Sequence, residues 1–272
     1  MDYFKKERGR ELYPRKRKDD ATVDLTTEGT EVRSDMPPSM SKQEPILDTA
    51  RYFLVLEGEE KEPDYLKVLV RGKAFRNLKI AYKSLSNKKG DGNLIHKIVV
   101  FVKNAIQNKE IEDKTGVKYS LNEIDKIYAV VDVDSLENEI ATGVKQLSEA
   151  QWIISNPCFE IWLYYAFHNT PEEDFKLDEI DVSQRSQTLK TMLNQVHKGG
   201  IGGAQAFAEI HTAIVNAKQH YLLDRNGVPV LYATQMFIFA EQVLMTLKDS
   251  YDQWIARKIA MAAFYREGEK SE

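Results

Sequence analysis

The sequence predicts an α/β fold: a mainly parallel four-stranded sheet with helices on both faces, followed by a helical C-terminal part. Three observations carry this. Short apolar runs of strand length alternate with segments of helical period in the order β-α-β-α-β-α-β, which is the order that builds a parallel sheet. The first of these runs is continuously apolar, as a strand buried on both faces is. From Phe159 onward, apolar residues recur at helical spacing.

The elements follow in order. Tyr52-Phe53-Leu54-Val55-Leu56 is the first strand. Glu62-Pro63 opens a helix, because proline suits the first turn, and Tyr65, Leu66, Leu69 and Val70 give it an apolar face. Leu78, Ile80 and Tyr82 alternate as a second strand, and Lys88-Lys89-Gly90-Asp91-Gly92 reads as a loop. Leu94, Ile98, Phe101, Val102 and Ala105 line a long helix. The third strand is Ile127-Tyr128-Ala129-Val130-Val131, and Ile140, Val144 and Leu147 mark the next helix. Trp152-Ile153-Ile154 is a short fourth strand, closed by Ser155-Asn156-Pro157. Four helical stripes follow: Phe159, Trp162, Leu163 and Ala166; Phe207, Ile210, Ile214, Ala217 and Tyr221; Met236, Phe239, Val243 and Leu247; Trp254, Ile255 and Ile259. Their spacing is that of core packing.

Residues 1–48 differ in kind. Polar runs such as Met36-Pro37-Pro38-Ser39 carry no apolar period, so a disordered tail is expected. Lys5 to Lys18 holds eight Lys or Arg against two acids, which fits a solvated tail or an arm that binds nucleic acid or a partner. The organisation expected is therefore 1–48 as a charged tail, 49–168 as the α/β domain and 169–272 as a helical elaboration packed on it.

Composition narrows the class. Hydrophobic residues make up 42% and charged residues 29%, a soluble globular balance. Lys and Arg number 38 against 42 acids, a net charge of −4, so no global basic field advertises nucleic acid. Clustered basic residues could still bind it. Cys158 is the one cysteine, which excludes an intramolecular disulfide and a zinc cluster of cysteines and suits a reducing cytoplasm. No apolar window is long enough to span a membrane, and the basic N-terminus lacks the apolar stretch of a secretory signal. The five histidines show no metal-ligand spacing.

The chemistry concentrates in three acids. Glu57 directly follows the first strand, Asp132 directly follows the third, and Asp134 lies two residues on. Alternate side chains of an extended backbone point the same way, so Asp132 and Asp134 can face one site. Neighbouring parallel strands end on the same edge, where such sheets bind ligands, so Glu57 can join them. Three carboxylates in one crevice repel unless a cation neutralises them. Oxygen donors alone suit magnesium or manganese, and such an ion activates water and steadies charge on a phosphate. Asp-x-Asp after a strand is common, and it is the conjunction with Glu57 that points to a site. Glu59, Glu60 and Glu62 read as solvated or helix-start acids.

These residues also carry a resemblance. The segment from Leu54 through Glu57-Gly58-Glu59 to Pro63-Asp64-Tyr65 resembles the opening motif of RloB-like proteins, and Val131-Asp132-Val133-Asp134 resembles their acidic strand motif. Ser155-Asn156-Pro157-Cys158-Phe159-Glu160-Ile161-Trp162-Leu163 is similar to their most distinctive signature, with weaker likeness at Lys198-Gly199 and Tyr232-Ala233-Thr234-Gln235. The resemblance runs from about Tyr52 to Leu247 and leaves out the tail. It implies a TOPRIM-like fold, a role in bacterial or archaeal defence against phage, and a frequent partnership with an ABC-type or AAA-type ATPase. It implies that Glu57 is the general acid/base or metal-linked glutamate, and that Asp132 and Asp134 are metal ligands. The sequence departs from the family at Lys61, where a threonine is usual.

Three further candidates have two readings each. Glu160 is a further metal ligand or supporting acid, or a helix-start carboxylate behind an Asn156 N-cap with Pro157 in the first turn. Lys198-Gly199-Gly200-Ile201-Gly202-Gly203 precedes a helix and could cradle a phosphate, but it lacks the Gly-Lys-Ser/Thr ending of a P-loop, so a hinge or cap fits better. Lys198 itself is a candidate cation facing the scissile phosphate. Cys158 reads as a buried structural thiol.

The function these features support is a Mg2+- or Mn2+-dependent endonuclease of TOPRIM type acting on DNA or RNA. The first alternative is a non-catalytic regulatory subunit binding an ATPase, nucleic acid or nucleotide, for which converging carboxylates have no use. The second is a phosphohydrolase of the haloacid-dehalogenase type, which places its Asp-x-Asp after the first strand rather than the third. An oligomer is compatible with either.

Overall fold

The computed structural model describes residues 50–71, 75, 78–85, 94–134 and 136–268. The expected tail over 1–48 and the loop at 88–92 lie outside the described residues. The strands β1 (Ala50–Leu56), β2 (Leu78–Ser84), β5 (Lys126–Asp132) and β6 (Gln151–Ser155) form one sheet in the order β2-β1-β5-β6. Every neighbouring pair in it is parallel. Helices α1 (Lys61–Arg71), α2 (Leu94–Asn108) and α3 (Glu137–Gln146) connect the strands. The chain continues through α4 (Glu160–Tyr165), α5 (Pro171–Phe175), α6 (Val182–Val196), α7 (Gly203–Ala208), α8 (Ile210–Gln219), α9 (Met236–Leu247) and α10 (Asp249–Gly268). The α/β class, the parallel sheet and the helical C-terminal part are as the sequence predicts.

The period-two rule sorts the strand residues onto two cores. Tyr52, Leu54, Leu56, Tyr128, Val130 and Ile153 face a core shared with α1, α4 and α6–α9. Phe53, Val55, Ile127, Ala129, Val131 and Ile154 face the other, against α2 and α3. Both faces are covered, which is why these strands read as unbroken apolar runs. The C-terminal helices and the sheet lie within one compact unit, Leu47–Glu272.

Several elements differ from the reading of the sequence. A small antiparallel hairpin, β3 (Glu110–Glu112) with β4 (Lys118–Ser120), precedes β5. Its turn is set by Asp113, whose Oδ1 accepts from the Thr115 and Val117 amides at 2.8 and 3.1 Å, and by Gly116 at φ 83°. The stripe from Phe207 to Ala217 is divided between α7 and α8 at Glu209. Helix α3 turns Ile140 and Gly143 inward rather than Val144, because a Cβ at Gly143 would stand 2.5 Å from Ile95 Cγ2 and only glycine lets α3 approach α2 so closely. The expected helix start at Asn156-Pro157 is also displaced. Helix α4 begins at Glu160 with Phe159 at its N-cap, and Asn156 Nδ2 donates to the Pro229 carbonyl at 2.8 Å.

Candidate active site

The sheet's carboxyl edge is where the acids gather. Leu56 of β1 lies opposite Val130 of β5, and Asp132 lies opposite Ser155 of β6. The next residue of the first strand, Glu57, donates its backbone N–H to the Val130 carbonyl at 3.1 Å, and its Oε2 accepts the Asp132 N–H at 2.9 Å. Glu57 is thus stapled to the end of the neighbouring strand. Asp132 is held from the other side, since its Oδ1 accepts the Phe159 N–H at 2.8 Å. Asp134 reaches the site through a turn rather than by strand alternation. It sits at φ 41°, a conformation aspartate tolerates. Its N–H donates to the Pro157 carbonyl at 3.1 Å, and its Oδ1 accepts the Ser186 hydroxyl of α6. Val133 between them is fully buried on the opposite side.

Glu57, Asp132, Asp134 and Glu160 line one cavity of about 380 Å³, together with Glu62, Lys61, Lys190 and Asn194. The structure therefore brings together four of the five residues expected from the sequence. The fifth, Lys198, is exposed beyond the end of α6 and does not line the cavity. Lys190 does, two helical turns earlier, with Nζ 3.9 Å from Glu160 Oε2. The two amides of the glycine run that meet α7 are already engaged. The Gly202 N–H donates to Gln205 Oε1 at 2.9 Å and the Gly203 N–H to Asp64 Oδ2 at 3.0 Å.

Sequence reasoning missed Glu62, Ser186 and Lys190. Glu62 is 6% exposed and closes the cavity from α1, whereas Glu59 and Glu60 are exposed at its mouth. The signal was there: Glu62, Leu66 and Leu69 are spaced by four and three, so Glu62 sits on the apolar stripe. Ser186, Lys190 and Asn194 recur every fourth residue along α6, beside buried Leu189 and Leu193.

The electrostatics follow from burial and crowding. Burial raises Glu57 to about 7, opposed by the Asp132 N–H and reinforced by Asp134 and Glu62. Burial, then Glu57, Glu62 and Glu160, push Asp132 well above the usual carboxylate range. Burial also raises Asp134 and Glu62. Burial would lower Lys190, but Cys158, Glu160, Asp132 and Asp134 outweigh it and hold its ammonium charged. Burial first, and then Glu160 and Asp132, push the Cys158 thiol up. Carboxylates crowded into one largely desolvated cavity repel one another until a cation neutralises them, so these oxygen donors fit a divalent cation. Among the described residues, Asp132, Cys158 and Glu160 have ligand atoms within 4.8 Å of one another and could hold a metal.

The family described as RloB-like protein matches residues 52–238, a span that includes every acid of the cavity. No curated protein and no solved structure matches the chain. Among the described residues, no helix is long and apolar enough to cross a membrane.

Proposed function

This chain belongs to the RloB-like protein family, and from that premise we propose that the cavity is the active site of a divalent-cation-dependent phosphodiesterase that hydrolyses DNA or RNA. The observation that carries this is the meeting of Glu57, Asp132 and Asp134 at one sheet edge, with the buried Glu62 and Glu160 and with Lys190. A binding module gains nothing from crowding desolvated carboxylates, because each costs stability until a cation arrives.

The roles follow from the contacts. Asp132 and Asp134 hold the ion, magnesium or manganese by their oxygen donors, with Glu160 and Glu57 beside them. A cation bound there supplies charge neutralisation at the phosphate and a more acidic water. Phe159 N–H fixes Asp132 and the Ser186 hydroxyl fixes Asp134, so neither carboxylate has to be ordered during turnover. Glu57, whose carboxylate is held beside them by the Asp132 N–H, is the group that would take up and return the proton. Lys190 offsets the negative charge that would otherwise repel a nucleic-acid phosphate. The wider reading is a TOPRIM-like nuclease in cytoplasmic defence of a prokaryotic cell against phage, controlled by an ABC-type or AAA-type ATPase.

The test is incubation of the purified chain with plasmid, single-stranded DNA and tRNA in Mg2+, Mn2+ or EDTA. Cleavage of at least one substrate that EDTA abolishes is the expected result. Equal cleavage in EDTA, or cleavage retained by alanine variants of all three acids, would sink the proposal.

A further inference from the structure

The sheet has an open edge away from the acidic cavity. Strand β2 pairs with β1 alone, in parallel. Just past its end, the Leu85 N–H donates inward to the Leu56 carbonyl of β1 at 2.9 Å. The Tyr82 carbonyl faces the other way and accepts the Lys114 N–H, from the turn between β3 and β4, at 2.8 Å. By the period of two, Ile80 also turns its N–H and C=O outward. Among the described residues, neither of these Ile80 groups has a partner. The edge thus takes one rung from another segment and leaves the next one open.

A groove of about 530 Å³ follows this edge, lined by the strand from Leu78 to Tyr82. Phe53 and Tyr119 reach it from one face of the sheet, Leu69 and Phe75 from the other, so it passes the strand's rim rather than lying on one face. One wall is apolar, made by Leu69, Phe75 and Val70, the last 44% exposed. The other carries Lys79 and, beside Tyr82, Lys114. Among the described residues, no ion pair holds either lysine. Lys114 donates to the Tyr82 hydroxyl and lies over its ring. The other charges at the groove are engaged. Arg51 is paired with Asp125 at 2.6 Å, and the Asp113 carboxylate accepts from Thr115, Val117 and Tyr119. The groove shares no lining residue with the acidic cavity, so binding there does not depend on what the cavity does.

We propose that this edge docks an extended segment of a partner protein, with acidic and apolar residues in alternation, as a fifth strand beside β2. The main chain of such a segment meets the Ile80 N–H and C=O, the way peptides are added to exposed sheet edges. Its side chains alternate across the strand. Those of one parity fall against Leu69, Val70 and Phe75, and those of the other on the side of Lys79 and Lys114. A second copy of this chain would bring the same lysines against Lys79 and Lys114, and like charges guard an exposed strand against pairing with itself. The same charges complement an acidic strand.

The probe is a dye-labelled peptide of alternating Glu and Val with blocked ends, 7 residues long to match β2. It is titrated into the full-length chain and read by fluorescence anisotropy. The expected result is saturable binding at one peptide per chain, and none for a peptide of alternating Lys and Val at the same concentrations. Amide hydrogen exchange, read by NMR, should slow at Ile80 and Tyr82 on binding, since both N–H groups point out of the edge. Lys79→Glu combined with Lys114→Glu should weaken the Glu–Val peptide at least about tenfold and let the Lys–Val peptide bind. If that variant misfolds, the two peptides and the exchange footprint on the wild type still decide. No binding of the Glu–Val peptide, equal binding of both peptides, or slowed exchange away from β2 overturns the proposal. So does a dimer in light scattering whose Ile80 amide is protected before any peptide is added, which would give the edge to a second copy.

Discussion

Glu57→Gln should make the metal-free protein more stable at pH 8 and not at pH 4.5. Burial raises Glu57 from an ordinary 4.5 to about 7. Between those values the folded state holds a proton that the unfolded state has released. Stability therefore falls as pH rises through the window, and the loss is complete above pH 7. A rise of that size corresponds to about 3 kcal/mol at 1.36 kcal/mol per unit. Glutamine keeps the acceptor for the Asp132 N–H but makes a weaker bond than a carboxylate, so the net gain at pH 8 is about 2 kcal/mol. For a structured unit of this size that is about 4–8 °C in Tm. The assay is thermal unfolding by circular dichroism in EDTA at both pH values. A variant no more stable than wild type at pH 8, or equally shifted at both, would refute the idea that Glu57 is held desolvated and repelled. Added Mn2+ should then raise the wild-type Tm more than the variant's, because the variant has less repulsion to relieve.

Three further outcomes follow from the contacts. Asp132→Asn and Asp134→Asn should fold normally yet lose about 10–100-fold in divalent-cation affinity by calorimetry, with nuclease activity falling alongside, while exposed Glu59→Gln stays at wild-type level. Lys190→Met should lower the Tm of the metal-free protein at pH 8, since it leaves the cavity carboxylates without their half-buried counter-charge, whereas Lys198→Ala should change neither Tm nor cleavage. Gly203→Ala should destabilise by about 1–3 kcal/mol in urea unfolding, because its Cβ would stand 2.4 Å from the Tyr65 amide nitrogen where α7 meets α1.

The sheet was legible because two-sided burial leaves a plain mark. Val130 and Ile153 face one core, Val131 and Ile154 the other, and no polar position interrupts them. The hairpin over 110–120 was not, because Glu110-Ile111-Glu112 has a single buried side chain and its pairing depends on the Asp113 turn more than on apolar pattern. Helix α6 escaped for a related reason. Ser183, Gln184, Ser186, Gln187 and Thr188 dilute its apolar face, and the start signal, Asp181 Oδ1 accepting the Ser183 N–H at 2.9 Å, is one short residue in a polar stretch.

The site divides along the same line. Glu57 and Asp132 were legible because strand ends fix them: a parallel sheet forces the two positions onto one edge whatever else the chain does. Asp134 was placed correctly by a partly wrong argument, since alternation was expected and a left-handed turn delivers it instead. Lys198 lies outside the cavity that Lys190 lines, and the glycines beside Lys198 do not mark a site, because glycine runs serve many ends. Here they let α7 close on α1 through Gly203. A helix facing a carboxylate cluster should instead carry its polar residues every fourth position inside an otherwise apolar stripe, and Ser186, Lys190 and Asn194 do so. Glu62 obeys the same rule on α1 with Leu66 and Leu69. Polar residues on the buried stripe, rather than motifs in the loops, are therefore the sequence mark of the half of this cavity that helices build.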